Sequence, residues 1–186
     1  MISLYQLWIP IILSALLVFG ASSLIHMALK WHNSDYLKFR NEDEVRAAIR
    51  ATNPVPGQYV LPHFPNMKDM QRPEAQQKYK EGPIGFLFLK ASGVPRMGAS
   101  LGLWFLLNVV IAFLAAYLAS RTLPTGASFL QVCRVVGTVS FLAYAAGSVQ
   151  GGIWMGKPWR SVAKEIADGI IYGTVSAGVF GWLWPH

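Results

Sequence analysis

From Leu4 to Leu29 the chain carries no Lys, Arg, Asp or Glu, and after a polar segment three further apolar stretches follow at 98–120, 132–154 and 162–184. A helix over Leu4 to Leu29 is about 39 Å long at 1.5 Å per residue, enough to cross a hydrocarbon core of about 30 Å with some tilt. The pattern therefore predicts an all-α integral membrane protein with four transmembrane helices, over 1–29, 98–120, 132–154 and 162–184, and a small α+β loop domain over 30–97 between the first two. A signal peptide is the competing reading of the first stretch. No basic residue precedes it and the run is long, so it is expected to stay as an anchor, with Trp8 and Trp31 as interface residues.

Within 30–97 the periodicity changes several times. Asn41 followed by Glu44 resembles a capping box, and Val45, Ala48 and Ile49 recur at helical spacing, which predicts a short amphipathic helix over 41–51. Asn53-Pro54 and Pro56-Gly57 force a turn. Gln58 to Phe64 then reads as a strand limited to an edge position by Pro62. Pro73 suits the first turn of a helix through Lys80, and Ile84 to Lys90 reads as a second strand able to pair with the first.

Small residues decide how the apolar helices are expected to meet. Gly169, Gly173, Ala177 and Gly181 stand at i, i+4 spacing in the last stretch, as do Ala143, Gly147 and Gly151 in the third, and Gly98 with Gly102 and Ala112 with Ala116 in the second. On a helix each set forms a smooth stripe, a glycine zipper, along which another backbone can approach closely. The same surface serves packing within one chain, against copies of itself, or against other membrane subunits.

Composition narrows the function classes. At 53% hydrophobic and 13% charged the chain is too apolar for an ordinary soluble domain. The net charge of +7 would suggest nucleic acid in a soluble protein, but the basic residues lie mainly between the apolar stretches, where membrane orientation accounts for them. No nucleic-acid partner is expected. Lys30, Lys38, Lys90, Arg96, Lys157, Arg160 and Lys164 flank one side of the four-span arrangement and only Arg121 and Arg134 the other. That bias predicts a bacterial inner-membrane protein with a cytoplasmic loop domain and periplasmic termini. Cys133 is the single cysteine, so neither an internal disulfide nor dithiol chemistry is available.

Aligned by their ends, the spans place His26, Gln150 and Asp168 about one turn inside the loop-domain side. An ionisable group at membrane depth needs a partner or water, so a His26–Asp168 contact helped by Gln150 is the sharpest candidate for an ion-accepting vestibule. Its structural counterpart is a hydrogen-bonded helix clamp, with Lys164 a possible i, i+4 partner of Asp168. Asn108, mid-span, is expected to make an interhelical hydrogen bond. His32, His63, Met67 and Met70 are metal-ligand types without a metal-site spacing; a haem would want two histidines within the spans, and only His26 qualifies. No metal or cofactor is expected. Neither GxSxG, HExxH, a P-loop nor a Rossmann glycine pattern occurs, so no catalytic set is expected either. These features predict an accessory, scaffold or assembly subunit of a membrane complex acting through small-residue helix packing. The alternative is a small proton- or ion-coupled transporter or channel using His26, Gln150 and Asp168.

Overall fold

The computed structural model describes residues 2–186. In chain order the elements are α1 (Trp8–Ser23), α2 (Glu42–Ala51), β1 (Gly57–Leu61), α3 (Met67–Met70), α4 (Pro73–Glu81), β2 (Gly85–Leu89), α5 (Met97–Thr122), α6 (Phe129–Trp154) and α7 (Trp159–Trp182). A 3₁₀ turn, Leu4–Leu7, leads into α1, and a π-helical turn, Leu24–Leu29, continues it. Two compact units result: a helical unit containing the residues up to Tyr36 together with Arg96–His186, and a second unit, Leu37–Pro95. The first part of the polar segment, through Tyr36, thus packs with the helices.

Three helices are long and apolar enough to cross a membrane: Leu4–Leu29, α5 and α6. α7 has a similar length, but Arg160, Lys164, Glu165 and Asp168 crowd its first turns and keep it outside that set. The packing is that of a membrane bundle. On α5 the large side chains Leu103, Leu106, Leu107 and Phe113 face outward, whereas Ala112, Ala115, Ala116 and Ala119 are buried. Small side chains bring the backbones together and leave the bulky ones to the surroundings. Ser14 on α1 also donates a hydrogen bond to Ser176 on α7 at 3.0 Å.

The closest helix contact joins α6 and α7. A Cβ added to Gly169 would lie 2.7 Å from the Ala145 methyl, one at Gly173 would meet the Gly137 carbonyl at 3.2 Å, and one at Gly181 would strike the Phe129 ring at 2.7 Å. Ala177 itself sits over Gly137. The stripe of α7 therefore packs against its own neighbour, but the matching face of α6 runs through Phe129, Cys133, Gly137, Phe141 and Ala145, and not through Ala143, Gly147 and Gly151. Ala143 is exposed, Gly147 has open space around it, and Gly151 contacts the Lys157 stem. Gly98 and Gly102 also face open space. Trp184 is buried, with its indole N–H donated to the Pro124 carbonyl at 3.0 Å.

In the second unit β1 and β2 pair antiparallel, with Tyr59 opposite Leu87. β1 stops at Leu61 because Pro62 has no amide to donate to the ladder. Pro73 opens α4, where the first-turn amide is dispensable. The capping box expected at Asn41 does not form. Its side chain makes no cap hydrogen bond, and its Nδ2 instead donates to Glu44 Oε2 at 2.9 Å.

Candidate functional site

The polar site is built by the way α1 ends. The π-helical turn Leu24–Leu29 holds His26, whose Nδ1 lies 3.0 Å from the Ser22 carbonyl. A carbonyl only accepts, so Nδ1 carries the proton, and in the neutral ring Nε2 is left with its lone pair. Lys30 follows with φ of 52°, a left-handed conformation uncommon for a residue with a side chain. This reversal starts the 3₁₀ turn Trp31–Asp35 and lays the His32 ring parallel to that of His26, with centroids 4.6 Å apart.

His32 then joins two carboxylates. Its Nδ1 is 2.8 Å from Asp35 Oδ2, and its Nε2 is 2.9 Å from Asp168 Oδ2 on α7. The His26 Nε2 stands 3.9 Å from the same Asp168 oxygen. Lys164, one turn earlier on α7, donates to Asp35 Oδ1 at 2.7 Å, to Ser34 Oγ at 2.8 Å and to the Trp31 carbonyl at 2.6 Å. It thus ties down the short turn and leaves Asp168 to the histidines. The Lys164 ammonium, aided by His32 and Ser161, holds the Asp35 carboxyl at about 2, against an ordinary 3.8, and outweighs the opposing effect of its partial burial. Glu165 is ion-paired with Lys157 from the turn before α7.

Two features distinguish this arrangement from a fully hydrogen-bonded clamp. Asp168 is buried, yet its Oδ1 has no hydrogen-bond partner among the described residues. A buried carboxylate oxygen normally finds a donor, water or an ion. His26 and Asp168 also line a cavity of about 460 Å³, whose wall includes Ser22, Trp104, Tyr144 and Tyr172. Those three aromatic rings meet edge to face, with centroids 5.2 to 6.3 Å apart, and form a stiff apolar backing.

Of the residues singled out from sequence, His26 and Asp168 come together here. Gln150 is exposed and lies outside the cavity wall. Buried Asn108 accepts a hydrogen bond from Tyr144 at 2.9 Å, linking α5 to α6. His63, in the second unit, shares a shallow pocket with Gln58, Tyr59, Val60 and Phe86, and neither Met67 nor Met70 lines it. Periodicity gave no reason to place His32 and Asp35 in the site, since both lie beyond the apolar stretch. The available signal was the spacing of His26, His32 and Asp35 around a helix end. No protein-family model, no curated protein and no solved structure matches the chain.

Proposed function

We propose that this chain is a four-span membrane protein whose working centre is a cation-accepting vestibule formed by His26, His32 and Asp168, as in a small ion-coupled transporter or channel. One observation carries the reading: two electron-pair acceptors, His26 Nε2 and buried Asp168, face each other at 3.9 Å beside a cavity, and a second Asp168 oxygen is unpaired. Acceptors gathered in this way are stabilised by a cation between them. The pairing of charges supports α7 as the fourth span. Lys164 is matched by Asp35, Glu165 by Lys157 and Asp168 by His32, which lowers the penalty of taking this end of the helix into the membrane. The excess of Lys and Arg flanking the loop-domain side supports a bacterial inner membrane, with the polar segment cytoplasmic and both termini periplasmic.

The test is cation flux into vesicles holding the purified chain, compared with the Asp168→Asn variant. Flux in the first and none in the second, with both forms folded, supports the reading; no flux of any cation in either form contradicts it. A second reading, an accessory or scaffold subunit, is favoured by Gly98, Gly102 and Gly147, small residues with nothing packed on them. It predicts that the gently solubilised native particle contains other chains at fixed ratio.

A further inference from the structure

We infer that the vestibule is a binding site for a divalent transition-metal ion, with Zn²⁺ the archetype, ligated by His26 Nε2, His32 Nε2 and the Asp168 carboxylate. This rests on the cation-accepting reading above and names the class of cation.

The donor set is two imidazoles and a carboxylate, which suits first-row divalent ions and is poorly matched to alkali ions or Mg²⁺, bound mainly by oxygen. One ligand atom from each residue lies within 4.8 Å of the other two. Ligands about 2.1 Å from a tetrahedral Zn²⁺ are about 3.4 Å apart, so a small turn of one ring closes the set. His26 has that freedom, its side chain being 48% exposed, while His32 and Asp168 are held at 12% and 7%.

The surroundings favour metal in three further ways. His26 Nδ1 is committed to the Ser22 carbonyl, which leaves Nε2 as the ligating atom. His32 has its other nitrogen on Asp35, and Lys164 in turn fixes Asp35; a carboxylate behind a ligating imidazole orients the ring and raises its basicity. Both His32 nitrogens face carboxylate oxygens, which an imidazolium satisfies and a neutral ring with Nε2 on a metal satisfies equally well. Asp168 Oδ1 supplies an unused oxygen at the same place. With three protein ligands, a fourth position remains for water or a small ligand.

The experiment is titration of the chelator-stripped, detergent-solubilised full chain with Co²⁺, whose visible absorption reports a low-coordinate nitrogen and oxygen site, followed by competition with Zn²⁺. One Co²⁺ per chain, displaced by Zn²⁺, is expected. Asp35→Asn, which leaves all three ligands in place, is expected to weaken binding about 10–100-fold. His26→Ala should weaken it at least as much, and His63→Ala should leave it unchanged. Absence of stoichiometric Co²⁺ binding, or equal binding by the His26→Ala variant, overturns the inference. Flux of Na⁺, K⁺ or H⁺ by a chain that binds no Co²⁺ also overturns it, while leaving the vestibule standing. Stoichiometric Co²⁺ binding without flux of any cation upholds the metal site and removes the transport reading.

Discussion

Gly169 shows how sharply one atom can matter in this bundle. Its missing Cβ is the space taken by Ala145, 2.7 Å from where that carbon would be, and both partners are backbone-bound atoms with little freedom to move. Gly169→Leu is therefore expected to destabilise the α6–α7 pair by about 1–3 kcal/mol or more, read as the midpoint of denaturant-induced unfolding in detergent. Gly102→Leu, on an open face, should change the midpoint of the isolated chain by less than about 0.5 kcal/mol. Equal effects of the two would show that the stripe is not a packing surface. Tyr144→Phe removes the bond to Asn108 Oδ1 and should cost about 0.6 kcal/mol, the usual size of an interhelical hydrogen bond in a membrane. Asp35 gives the chain a pH dependence whose sign is fixed by its surroundings: Lys164, His32 and Ser161 face it, and its folded-state value of about 2 lies below the ordinary 3.8. The stabilisation it contributes is present above pH 3.8 and is lost as pH falls through about 2. Unfolding midpoints of the wild type should drop over that interval more steeply than those of Asp35→Asn; parallel curves would contradict this.

At the scale of elements, the decisive piece is the short reversal from the π-helical turn through Lys30 into Trp31–Asp35. It is held to α7 chiefly by Lys164, whose ammonium donates to Trp31, Ser34 and Asp35. Lys164→Met should release the turn, so that hydrogen exchange at the Asn33 amide, bonded to the Lys30 carbonyl, speeds up while exchange at the centre of α5 does not change. Unchanged exchange at Asn33 would mean that the turn holds itself. The reversal also explains where sequence reasoning stopped. Three of the four apolar stretches, the two strands and the His26–Asp168 approach were legible, because each follows from period or length. His32 and Asp35 were not: their position depends on one positive φ at a lysine and on a local switch to π geometry, and neither leaves a mark in hydropathy. The packing face of α6 escaped for a different reason. Counting small residues assumes that both surfaces are smooth, but Gly181 and Gly173 on α7 make room for Phe129 and Phe141, while Gly137 on α6 takes Ala177.

For the whole molecule, charge pairing and hydropathy pull in different directions on α7, and the sidedness of the chain decides between them. In a Cys133→Ala background, Met155→Cys and His186→Cys flank α7 and should react with a membrane-impermeant thiol reagent from opposite faces if α7 crosses. With the orientation proposed above, Thr125→Cys should label from the periplasm in intact cells and Asn53→Cys only after permeabilisation. Labelling of Met155→Cys and His186→Cys from the same face would leave three spans and place the vestibule at a membrane surface. The alanine-lined interior and outward leucines fit a bundle that gains its cohesion from close backbone approach, and the polar site lies where the Trp31–Asp35 turn and α7 bring their charged groups together. That site is the working centre proposed for the chain. The measurement that tests it most directly is the unfolding midpoint of the solubilised chain across a panel of buffered Na⁺, K⁺, Ca²⁺ and Zn²⁺ concentrations, for the wild type and Asp168→Asn. A cation bound only by the folded state adds about 2.7 kcal/mol at one hundred times its dissociation constant. A saturable rise is expected for the wild type, largest with Zn²⁺, and none for Asp168→Asn; no rise with any cation, or equal rises in both proteins, would contradict a cation site at Asp168.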